Sequence, residues 1–275
     1  MGPCCRKPVS PGSMRIPMSA VLSSIDRIAP TRRPSEWAIG YHRWSNLLFV
    51  HWRVPASELA PLVPPQLTID TFDGTAWIAL VPFTLTGVRP WWSPPVWGIS
   101  SFHETNVRTY VHHEGRDPGV WFFSLDASSS LAVRAARWKW RLPYYRASMS
   151  LKRFGTRVSY SSRRLWPGIS GPGAEVEAEI GELIDNPESG LPAGRAAPGT
   201  LEHFLCERYI LYSAGAGGAL LQGYVHHSPY PLRECRVTCL RESLVQAAGV
   251  KVSSAPEHTV FSDHVSVEVF RLRPV

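Results

Sequence analysis

Proline interrupts this chain too often for long helices to form. Its 25 prolines are spread along 275 residues, and each removes a backbone donor and fixes φ near −65°. Short strands closed by turns fit between them. Residues 46–54 (NLLFVHWRV) read as such a strand. Residues 67–72 and 76–83 flank Asp73-Gly74, a two-residue hairpin signal. Residues 103–112 and 120–127 flank Asp117-Pro118-Gly119, another turn signal. Further strands are predicted at 146–153, 157–163, 220–227, 237–240 and 264–270. Helices are few and short, at 201–209 and 242–248, with one at 131–140 behind the capping serines 128–130, and 55–63 reads as a short helix or turn. This pattern predicts an α+β, mostly β fold, an antiparallel sheet or barrel with helices to one side.

The charge is uneven. Six of the basic residues and a single acid, Asp26, lie in residues 1–35, which carry +5 of the net +7. Rich in Pro, Ser and Arg, residues 1–35 are predicted to be a disordered basic tail, with Met14 and Met18 as alternative starts. Residues 36–275 are expected to form a single domain. A body near +2 offers no clustered face for a phosphate backbone, so no nucleic-acid partner is expected. No window holds 18 uninterrupted apolar residues, which argues against a membrane partner, and residues 1–20 lack the apolar run of a secretory signal. The five cysteines give no disulfide framework, and a cytoplasmic location follows.

The chemistry concentrates between Phe102 and Tyr145. The strand FHETNVRTYV carries Glu104, Asn106 and Arg108 two residues apart. Alternate strand positions share a face, so a carboxylate, an amide and a guanidinium line up inside an apolar sheet. That row predicts a lined cavity. The Glu104 and Arg108 Cα atoms lie roughly 13 Å apart, so the pair either orders the barrel or receives a ligand. The loop RPWWSPPVWG at 89–98 either caps a pocket, with Trp97 as a ligand contact, or plugs the core. His226-His227 closes a strand, and His227 is read as pocket-lining. The other histidines show no metal-binding spacing, so neither a metal nor a cofactor is expected. From Ala127 to Leu165 there are ten basic residues and no acid, followed by the acids Glu175 to Glu188. Such runs either attract anions or pair across neighbouring strands.

FHETNVRTYV, PGVWFFSLDA, the helix ending in LPYY, LEHFLCERYILY and HHSPYPL together resemble the DUF2071 family, whose bacterial members are often called YqjF-like. That family is similar in fold to acetoacetate decarboxylase, which implies a β-rich barrel around a central cavity. The resemblance also implies a comparison of active sites. The decarboxylase has a GREIWGFPKK motif whose first Lys forms a Schiff base and whose second lowers the pKa of the first. The matching run here is Ala136–Tyr145, which keeps Arg137 and Pro143 but carries Tyr144 and Tyr145 at the lysine positions. A phenol forms no imine, so that chemistry is not carried over. Glu104 resembles the decarboxylase's active-site glutamate.

The expectation is a protein that takes a small organic ligand, a carboxylate or keto acid, in its cavity. If it is an enzyme, Glu104 is the acid/base, Tyr144 a hydrogen-bond donor and Arg108 the anion anchor. Asn106, Arg137, Tyr145, His227 and Trp97 would contact the ligand. One alternative is a non-catalytic binding or assembly module. Another is a lyase or decarboxylase-like enzyme using Lys152, whose strand alternation with Ser148 and Ser150 permits an inward side chain; Lys139 is expected to face water. Self-association as a homo-oligomer is left open.

Overall fold

The computed structural model describes residues 25–166, 171–252 and 255–275. The first seven strands are β1 (Gly40–Val54), β2 (Leu67–Ile69), β3 (Ala76–Pro90), β4 (Phe102–His113), β5 (Arg116–Ala127), β6 (Tyr144–Phe154) and β7 (Arg157–Arg164). The remainder are β8 (Gly173–Leu183), β9 (Ile210–Ala214), β10 (Leu220–His227), β11 (Leu232–Glu242), β12 (His258–Val269) and β13 (Arg273–Pro274). Among the described residues four short α-helices accompany them: α1 (Ala56–Leu59), α2 (Ser130–Lys139), α3 (Leu201–Cys206) and α4 (Leu244–Ala247).

The strands form one sheet that closes on itself. Pairings run from β9 through β5, β4, β3, β1, β12 and β10 back to β9. Closure removes exposed edges from the centre of the fold. Most pairs are antiparallel, as expected, but β5 pairs in parallel with β6 and with β9. The β5–β6 exception follows from α2, because parallel neighbours need a crossover and residues 128–143 supply it. Ser129 caps α2 by accepting from the Ala132 amide at 3.2 Å. The β5–β9 approach depends on Gly119, where a Cβ would lie 2.7 Å from the Ile210 carbonyl oxygen.

Two turns differ from the sequence reading. The β4–β5 hairpin closes at Glu114-Gly115, with φ of 47° and 76°, not at Asp117-Pro118-Gly119. Two consecutive positive φ values match the strand twist, and Asp117 instead sits where the β4–β5 register slips. Asp73-Gly74 does turn the chain, bridging Phe72 to Thr75, yet β2 pairs with β4 and not with β3.

The β4 strand is buried on both faces. Val107 and Val111 belong to one apolar cluster, while Tyr110 packs with Phe49 and Trp77 in the other. Residues 25–35, expected within the tail, are held against the domain: Arg27 reaches Asp70 at 2.5 Å and lies over the Phe204 ring. The rest of the tail, including Cys4, Cys5 and Lys7, lies outside the described residues. The Pro/Gly/Ala-rich segment 186–199 packs against the domain, with Gly194 bonded to both Ile184 and Leu232. The basic strand β7 lies beside the acidic strand β8, with Arg157 opposite Glu179. The ion pairs to Glu179 and Glu175, however, come from Arg236 and Arg241 on β11. Among the described residues no helix is long and apolar enough to cross a membrane.

Candidate functional site

The polar row on β4 faces a cavity of about 420 Å³. Phe83, Leu85, Phe122 and Leu125 supply much of its wall, and Ala132, Ala135 and Ala136 of α2 cover one side. Glu104, Asn106, Arg108 and Tyr144 all line it. The crossover explains how Tyr144 arrives: Leu125 of β5 lies opposite both Asn106 of β4 and Tyr144 of β6.

Glu104 is 3 % exposed, and the Tyr144 hydroxyl donates to its Oε2 at 2.8 Å. Burial pushes the Glu104 carboxyl up to about 8, against the lowering effect of that hydrogen bond and with a further push from Asp126. Burial likewise raises Tyr144 well above the ordinary phenol range, helped by the Glu104 charge. Near neutral pH the carboxyl therefore keeps its proton and can donate as well as accept.

Arg108 is 8 % exposed. Its guanidinium lies over the rings of Phe49 and Tyr110 at 5.6 and 5.7 Å, and its Nη2 donates to the Leu205 carbonyl at 3.3 Å. Its buried Nε has no partner among the described residues. The buried arginines nearby differ: Arg208 pairs with Asp70 at 2.8 Å and Arg164 with Asp126 at 2.7 Å. Among the described residues no carboxylate lies within ion-pair distance of Arg108. A buried cation without an opposite charge is costly, and this one borders empty space. Asn106 Oδ1 is also buried without a partner.

Four of the expected contacts lie elsewhere. Arg137 is exposed; it donates to the Tyr144 carbonyl at 2.7 Å and stacks on Trp166, so it fixes backbone outside the cavity. Tyr145 points to the opposite face of β6 from Tyr144, its ring 3.7 Å from the Arg164 guanidinium. His227 is buried behind the wall, stacked on Tyr209 at 4.5 Å and beside Tyr230 at 4.4 Å, and burial lowers its pKa to about 4. Trp97 is 98 % exposed, and Trp91 and Trp92 are also on the surface, so the loop's tryptophans neither plug the core nor line this cavity, which only its first residues, Arg89 and Pro90, border. Lys152 is exposed on β6 opposite Ser159 and does not border the cavity.

Other lining residues were not picked out by the sequence. His42, Trp44 and Tyr230 line the inner wall, and Arg89, Lys139 and Trp140 border the mouth. Burial lowers His42 to about 4. The GYHRWS start of β1 places His42 and Trp44 two residues apart on one face, a signal of the same kind as the β4 row. Among the described residues no group of three His, Cys, Asp or Glu side chains converges on a metal position.

Solved structures share this architecture. An enduracididine biosynthesis enzyme, MppR, complexed with pyruvate superposes with a TM-score of 0.59 at 12 % identity, covering 88 % of this chain and 93 % of that one. An acetoacetate decarboxylase-like enzyme from Sphingomonas wittichii RW1 gives 0.58 at 12 % identity, over 87 % and 94 %. The acetoacetate decarboxylase of Legionella pneumophila gives 0.54 at 11 % identity, over 90 % and 94 %. At such identities the likeness concerns the fold. In sequence, the uncharacterized protein YqjF of Bacillus subtilis (strain 168) is 34 % identical over 207 residues, 75 % of this chain and 80 % of that protein. The DUF2071 family, described as an uncharacterized conserved protein, matches residues 41–266. By that match, with the strand row and the crossover tyrosine falling inside it, the chain belongs to the DUF2071 family.

Proposed function

We propose that the cavity binds a small organic acid, with its carboxylate on Arg108 and its body against the apolar wall. The observation that carries this reading is the buried Arg108 guanidinium, which borders the cavity and has no carboxylate partner among the described residues. A ligand carboxylate would give it the charge-assisted bonds that Arg164 and Arg208 already have. Glu104, held in its acid form, and Tyr144 then face a ligand oxygen. Together they can stabilise a developing negative charge or move a proton. The pyruvate bound by the structurally similar MppR is an acid of this class.

Titration calorimetry with octanoate, 2-oxooctanoate and their methyl esters tests the reading. The acids should bind, the esters should lose at least tenfold, and Arg108→Met should bind acid and ester alike. Equal binding of acid and ester by the natural protein would overturn it. Following each bound acid by NMR over hours separates turnover from binding alone.

A further inference from the structure

The cavity has two polar ends, set apart by the strand that carries them. Glu104 and Arg108 are four residues apart on one face of β4. At ~3.3 Å per residue their Cα atoms are roughly 13 Å apart. The Arg108 side chain does not close the gap. The Arg108 guanidinium lies over Tyr110, the next residue on that face away from Glu104. Glu104 accepts from Tyr144 at 2.8 Å, whose backbone lies across β5 at the level of Asn106. The rest of the wall is mostly apolar, with Asn106 Oδ1 and His42 Nε2 as buried polar atoms without a partner among the described residues. The space is also large. At ~30 Å³ per water, 420 Å³ is room for about fourteen waters, more than twice what an acid of six heavy atoms would fill.

From this spacing we infer that the ligand is a medium-chain acid with a second oxygen, a ketone or hydroxyl, far from its carboxylate: the carboxylate meets Arg108 and the distal oxygen meets the Glu104–Tyr144 pair. This rests on the acid-binding reading above and adds the substrate class. Taking that Cα spacing as the span between the two ends and allowing ~2.8 Å for the hydrogen bond at each end leaves roughly 7 Å. An extended chain with bonds of ~1.5 Å spans that in roughly five or six bonds. A 2-oxo acid places both oxygens at one end and cannot reach both groups.

The isomers 7-oxooctanoate and 2-oxooctanoate provide the test, having the same formula and charge. By calorimetry the full chain should bind the 7-oxo isomer at least fivefold more tightly; a smaller preference, or the reverse, overturns the inference. Carbon-13 at C7 gives a readout that needs no variant. Hydrogen bonding should move the bound carbonyl resonance downfield of its position in water, and a bound resonance at or upfield of the water value counts against the assignment. Tyr144→Phe and Glu104→Met, each checked for a cooperative unfolding transition, should reduce the 7-oxo isomer to the affinity of octanoate. If both isomers bind equally and both are lost in Arg108→Met, only the placement of the distal oxygen fails. If no acid binds the natural protein, the acid-binding reading fails with it.

Discussion

Tyr144 donates its hydroxyl hydrogen to Glu104 across 2.8 Å, although 40 residues separate them in the chain. The bond joins β4 to β6 across β5 and fixes the chemical end of the cavity. Without its donor, the buried carboxyl loses the only interaction identified as lowering its pKa. Tyr144→Phe is therefore expected to destabilise the fold by about 1–3 kcal/mol and to raise the Glu104 pKa further. Urea denaturation measures the first effect and a carbon-13 titration of labelled glutamate the second. A titration that stays where it was would count against the pairing.

Glu104 also makes stability depend on pH. Its folded pKa of about 8 lies above the ordinary 4.5, so between those values the native state holds a proton that the unfolded chain has released. The Glu104 contribution to stability should fall as pH rises through that window and level off above about 8, while the buried histidines His42, His203 and His227, lowered from 6.5 to about 4, act in the opposite sense below about 6.5. Glu104→Gln should remove this contribution, leaving those of the histidines and of Asp126, Glu207 and Glu242, whose pKa values burial also raises. Unfolding midpoints at pH 5, 7 and 9 provide the comparison. Parallel slopes in the two proteins would mean that Glu104 is not the group titrating.

Arg108 and Arg208 should respond oppositely to the same change. Arg208 neutralises the buried Asp70, so Arg208→Met leaves that carboxylate to Arg27 alone and should cost about 3–5 kcal/mol. Arg108 loses one hydrogen bond, to Leu205, but the desolvated charge goes with it. Arg108→Met should stay within about 1 kcal/mol of the natural protein while losing ligand. Thermal unfolding of both variants checks this; a large loss for Arg108→Met would make it a structural residue.

Ala135 lies on the exposed side of α2 and borders the mouth of the cavity. Ala135→Trp should block entry and lower acid affinity at least tenfold. A surface substitution away from capping and core should change stability by no more than about 0.5 kcal/mol. Unaltered affinity would place the ligand elsewhere.

Ser129 supplies the only side-chain cap seen at α2. Ser129→Ala should cost about 1 kcal/mol and loosen the crossover that delivers Tyr144. Hydrogen exchange across residues 130–140 should rise in that variant, and unchanged protection would show that the helix is held by packing alone.

Much of this was readable in the chain. The mostly-β architecture followed from proline spacing and turn residues, and the row Glu104–Asn106–Arg108 followed from the two-residue period of a strand, because both signals are local. The α2 cap was legible for the same reason. The hairpin at Glu114-Gly115 was missed because Asp117-Pro118-Gly119 offered stronger turn residues, and what decides between them is strand register. Strand β9 was missed because five residues after a helix carry too little periodicity.

Local pattern thus determined which side chains share a face, and that alone established that a carboxyl, an amide and a guanidinium would stand in one row. Tertiary structure decided what stands opposite them. The β5–α2–β6 crossover brought Tyr144 rather than Tyr145 to Glu104, and strand alternation turned Tyr145 toward Arg164. Closure of the sheet buried His227 behind Tyr230 and left Trp97 in solvent. Such pairings depend on register between strands distant in sequence, and a one-residue slip would reverse each of them.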